Sequence, residues 1–153
     1  TAPVLGSATV NGRLLVLSYT DVGNLDTDAG KIVAASAFAV SSAGNEAISV
    51  SSVAVSGKTV TLALSRSVAG GETVKLSYTR PTTGDNVIQD AVGNDAASFT
   101  DQAVSNLVPD ITAPVLASAT VNSRLLVLTY TDVGDLNVGK TAAASAFAVS
   151  SAG

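Results

Sequence analysis

The side chains of this sequence that could do chemistry are oxygen donors, and most of them gather in two loops. Asp85, Asp90, Asn94 and Asp95 lie in one turn-rich segment, Asp21, Asp26 and Asp28 in another, and Asp110 stands between Pro109 and Pro114. Calcium takes six to eight oxygens, which loops can supply from carboxylates, Asn amides and backbone carbonyls. The expected calcium ligands are Asp90, Asp95 and Asp110. The run from Asp26 to Gly30 opens like an EF-hand loop, but its twelfth position is Ala37, where that loop needs a bidentate Glu. Asp, Asn and Gly are also the residues that build tight turns, so the same segments fit a purely structural role.

Other reaction classes fall to composition. The 153 residues include no His and no Cys, which removes Ser–His and Cys–His nucleophilic pairs and zinc sites built on imidazole or thiolate. Neither a G-x-x-x-x-G-K-[ST] phosphate loop nor a G-x-S-x-G elbow occurs. Glu46 and Glu72 are the only glutamates; both sit beside turns, where solvation is expected, and no enzymatic activity is expected. The net charge is −4 and Lys31, Arg66, Lys75 and Arg80 are scattered. A clustered basic surface for nucleic acid or anionic lipid is therefore missing, and no apolar run is long enough to span a membrane. The sequence contains no Met, so the stretch is expected to be internal to, or processed from, a longer precursor.

The elements that must position these loops are strands. Leu15, Leu17 and Tyr19 alternate with Val16 and Ser18, Val60, Leu62 and Leu64 alternate with threonine and alanine, and Val74, Leu76 and Tyr78 alternate with Thr73, Lys75 and Ser77. Period two marks strands with one buried face. Tyr19, Tyr78 and Tyr130 are in phase with the buried residues, so they are expected as core anchors whose hydroxyls reach the rim. Shorter strands are expected over 4–10, 37–41 and 98–106, and a phase change predicts a bulge near Ser51-Ser52. Asn11-Gly12 reads as a type I′ hairpin turn, with further turns at Ser56-Gly57 and Gly70-Gly71 and a helical turn within 32–37. About seven short strands in some 110 residues predict an all-β, two-sheet sandwich of immunoglobulin or fibronectin III type.

The chain also repeats itself. Residues 1–22 return as 112–133 with changes only at Gly6/Ala117, Gly12/Ser123 and Ser18/Thr129, and 34–44 return unaltered as 143–153. A period near 110 is a whole-domain repeat, far beyond the 20–50 residues of solenoid units. Residues 1–111 form one complete repeat, and 112–153 the N-terminal part of the next. That part lacks a segment equivalent to 45–111, and is expected to be completed by strands from 45–111 of the same or another chain. The boundary holds Pro109 and Pro114, each restricting its predecessor to extended conformations.

The opening TAPVLGSATVNGRLLVLSYTD, the middle ISVSSVAVSGKTVTLALSRSVAGGETVKLSYTRP and the closing IQDAVGNDAASFTDQAVSN together resemble the SwmB-type bacterial Ig-like repeat of very large surface proteins. That resemblance implies a non-enzymatic structural or adhesive module, extracellular and at the bacterial cell surface, with neighbouring repeats as its partners. Two alternatives stand beside it. One is a carbohydrate-binding accessory module of a secreted glycan-acting enzyme, with a surface glycan as partner. The other is a self-assembling filament subunit, a homo-polymer formed by strand exchange.

Overall fold

The computed structural model of the protein describes residues 1–153, which divide into two units, Thr1–Ile111 and Thr112–Gly153. The first unit holds seven strands: β1 Val4–Asn11, β2 Leu14–Thr20, β3 Phe38–Ser42, β4 Val50–Ser56, β5 Thr59–Leu64, β6 Val74–Tyr78 and β7 Phe99–Asn106. They form one curled sheet in the order β3-β6-β7-β1-β2-β5-β4. The link between its two halves is short, a parallel pairing of β1 with β7 at Thr9↔Ser105 and Val10↔Asn106. The two outer strands approach each other through the bridge Val40↔Ile48. Where two separate sheets were expected, this pairing joins all seven strands into a single ladder.

Period two decides what is buried. Val10, Leu15, Leu17, Val60, Leu62, Leu76 and Tyr78 are wholly inaccessible, and Leu64 and Val74 are nearly so. Phe38, Tyr78 and Phe99 stack in a row with centroids 5.2 and 5.8 Å apart, a spacing favourable for tilted rings. The phase change in β4 is a bulge between Val50 and Ser52, near the position the sequence predicts. The segment before β3 makes two short 3₁₀ turns, Ala29–Lys31 and Ala35–Ala37.

Hairpin chemistry differs from expectation in one respect. Asn11 pairs with Leu14 and Ser56 with Thr59, so the turns are Gly12-Arg13 and Gly57-Lys58, displaced by one residue. Only the glycines take positive φ, +60° and +56°. One positive φ at the first central position is the requirement of a type II′ turn rather than type I′.

The second unit holds β8 Val115–Asn122 and β9 Leu125–Thr131, paired to each other with a register shift between Leu116 and Ser118 that repeats the one between Leu5 and Ser7. A third 3₁₀ turn follows at Ala144–Ala146. The local structure is thus reproduced, but the burial is not. Val121 is 73% exposed where Val10 is 0%, and Phe147 is 50% exposed where Phe38 is 7%. At the turn, Ser123 is forced to φ +55°, where the first copy has glycine.

Two outcomes follow. Leu76→Ala opens a cavity at a fully buried site and should cost about 2–5 kcal/mol in chemical denaturation. Gly12→Ser should cost about 1–2 kcal/mol, the strain of a non-glycine residue in the left-handed region, measured the same way.

Candidate functional site

Function is sought where loops converge, and the first unit has two such ends. At one, β1 begins, β2 finishes, and loop 21–33 meets loop 79–98. Backbone bonds clamp these loops together, Asp26 N donating to Gln89 O at 2.8 Å and Ala91 N to Asn24 O at 3.3 Å, while Ile88 N donates to the Tyr78 hydroxyl at 3.1 Å and ties loop 79–98 to β6. The Asn86 amide adds two donations, to Gly30 O and Ile32 O. Between the loops lies a shallow cleft of about 260 Å³ lined by Thr1, Asp21, Val22, Gly23, Asn24, Asp90, Ala91 and Val92.

Asp90 organises its own loop. Its Oδ1 accepts from Val92 N at 3.0 Å and Asn94 N at 2.8 Å, and its Oδ2 from the Asn94 side-chain amide at 2.7 Å. Those bonds, led by the Asn94 amide, hold its carboxyl below the usual carboxylate value. Asp95 faces Arg80, with 3.6 Å between Oδ2 and Nη1. Asp110 follows β7 at the other end of the sheet, beside Gly70. The three expected calcium ligands are therefore not gathered, and no three acidic side chains stand close enough together to hold a metal ion.

The D-x-D-x-G run is spent on local bonds as well. Asp26 Oδ1 accepts from Asp28 N, Asp26 Oδ2 pairs with Lys31 at 3.1 Å, and Asp28 Oδ1 accepts from Gly30 N at 3.0 Å. In the second unit Asn137 makes the same bond to Gly139 N at 2.9 Å. A neutral amide doing the work of Asp28 means the bond needs an oxygen acceptor, not a charge.

The opposite end carries a feature the sequence did not disclose. Glu72, expected to be solvated, is 7% exposed. Arg66 grips it with two parallel bonds of 3.0 Å, Ser42 Oγ donates at 2.7 Å and Ala69 N at 2.9 Å. Burial alone would raise the Glu72 carboxyl. The bonds from Arg66, Ala69 and Ser42 outweigh it and leave the group below its usual 4.5. Arg66 also donates twice to Glu46 O, tying the loop between β3 and β4 to the loop between β5 and β6. The R-x₅-E spacing across Gly70-Gly71 was visible, but only folding removes water from it.

Tyr19 and Tyr78 are anchors, though not rim groups; Tyr130, expected to be a third, is instead 37% exposed on β9. The Tyr78 hydroxyl is buried and receives the Ile88 amide, and burial pushes it above its usual 10.0. The Tyr19 hydroxyl is buried without a hydrogen-bond partner, and burial raises it far more strongly.

A family profile described as "Putative flagellar system-associated repeat" matches residues 1–83 and again 109–153. Among solved structures, the chain is similar to the N-terminal part of the bacterial S-layer protein SbsC, with a TM-score of 0.51 and 21% identity over 78% of this chain and 26% of that one. It is also similar to domains 1–6 of the surface layer protein SbsC, with a TM-score of 0.53 and 17% identity over 88% of this chain and 19% of that one. The chain thus spans about a quarter or less of those proteins, and the likeness is one of fold. No curated protein sequence matches.

Acid should expose both carboxylates. Each is held below its unfolded value, 4.5 for Glu72 and 3.8 for Asp90, so its contribution is complete above that value and lost as pH falls through the lower folded one. The melting midpoint should be level down to about pH 4.5 and fall below it. Glu72→Gln should flatten that fall. Arg66→Ala, which strands a buried carboxylate, should cost about 1–3 kcal/mol at neutral pH, between the exposed and fully buried cases.

Proposed function

Because the chain belongs to the flagellar-system-associated repeat family, we propose that it is a non-enzymatic structural module of a long, repetitive bacterial surface protein, with neighbouring repeats as its principal partners. The observation that carries this is the restart of the whole module at Thr112, in the same register and with the same bulge. Duplicated modules joined by short linkers add length and valency. An eight-residue strand such as β1 contributes about 26 Å. The fold likeness to S-layer domains agrees with a surface setting, as does an immunoglobulin-like relationship for the curled sheet. Asp26, Asn86 and Asp90 at one loop end and Arg66 and Glu72 at the other hold loops in place, which is what a mechanical spacer requires.

A carbohydrate-binding role draws no support from the first unit, since Tyr19, Tyr78 and Phe38 are turned inward. A self-assembling filament formed by strand exchange is a further reading, in which residues 45–111 of another copy would cover the exposed apolar face of β8–β9. The face of β8–β9 fits a further segment of the 45–111 type. An ion at Asp90 would compete with three N–H donors for the same lone pairs, and we propose a loop that holds without it.

Immunogold labelling of intact cells with antibodies against residues 1–111 tests the function. Surface label is the expected result; label only after permeabilisation would overturn it. For the ion, melting midpoints in excess chelator and in millimolar calcium should coincide, and a rise in calcium would return the ion to the Asp90 loop.

A further inference from the structure

The peptide that leaves the module is bonded to it more closely than a tether need be. β7 finishes at Asn106, and its parallel pairing with β1 continues one residue further, Leu107 N donating to Val10 O at 2.8 Å. The Asn106 side chain then works in both directions. Its amide donates to Ala69 O at 2.7 Å and Glu72 O at 3.2 Å, and its Oδ1 accepts from Val108 N at 3.0 Å. Both carbonyls belong to the loop that Arg66 and Glu72 hold rigid.

Two residues later the backbone of Pro109 and Asp110 passes directly over Gly70, which is buried. A Cβ at position 70 would overlap the Pro109 carbonyl group and lie 2.5 Å from the Asp110 Cα, a separation real Cβ atoms do not adopt. Gly71 supplies a different property, φ +80°. The two glycines therefore answer separate demands, Gly71 for the turn and Gly70 for the close approach of the departing chain.

We propose that Asn106–Asp110 is a strap rather than a linker, seated on the 66–72 loop by Asn106 and Gly70, so that each module sets the direction in which the chain leaves it. Asn106 and Gly70 act here as positioning residues. This deepens the spacer reading and takes its meaning from it, since a spacer with a seated strap transmits orientation as well as length. The strap itself stands or falls independently of where the protein resides.

Backbone ¹⁵N relaxation and amide exchange on the 153-residue chain test it. In the unaltered protein, Leu107, Val108 and Asp110 should have order parameters near the rigid value of about 0.85, with Leu107 and Val108 protected from exchange. In Gly70→Ala the same residues should drop below about 0.6, and Val108 should exchange about tenfold faster, the weight of a lost hydrogen bond or two, while amides of β2 and β5 keep their protection. Asn106→Ala should loosen the strap without adding bulk, and decides the matter if Gly70→Ala fails to fold. A strap already mobile in the unaltered chain, or one still ordered in the folded variants, overturns the proposal. Surface labelling failing while the strap stays ordered would instead remove the spacer reading alone.

Discussion

Burial of one face of the β1–β2 hairpin is the interaction around which the first unit is arranged. Ala8, Val10, Leu15, Leu17 and Tyr19 point into a core walled in part by Leu25, Val33 and Phe38 and for the larger part by Val60, Leu62, Leu64, Val74, Leu76, Tyr78 and Val104, which come from residues after 45. The two halves of the repeat are thus mutual cover. The second unit is the natural control: its hairpin keeps the bulge, the register and all but three of the residues, yet its apolar side chains are exposed without the walls. Hairpin geometry is local and survives; burial is non-local and does not.

Once that face is covered, the loops at both ends inherit their positions. At one end the Tyr78 hydroxyl carries the order of β6 out to Ile88, and from there the backbone bonds of Gln89 and Ala91 fix loop 21–26. At the other, Glu72 accepts every donor offered to it, a requirement for a buried carboxylate, which is costly when any partner is missing. Among the acidic side chains that first suggested an ion, Asp26, Asp28 and Asp90 are spent on holding their own loops. Tyr19 is the exception, a buried hydroxyl with no partner in a core otherwise satisfied; we have no physical account of it.

The sequence by itself determined the strands, their inward phases, the bulge near Ser51-Ser52 and the period of the repeat, because each is written in short-range alternation or in self-similarity. It also removed His- and Cys-based chemistry, a matter of composition alone. Tertiary structure decided the rest. That β1 would pair in parallel with β7 and join all seven strands, that Glu72 would be dry and bonded to Arg66, and that Gly70 would lie beneath Pro109 depend on residues 6 to 96 positions apart in the chain. Such contacts leave no local pattern to read. The same carboxylate or glycine looks alike in sequence whether it faces water or another backbone, and only the closing of the sheet distinguishes them.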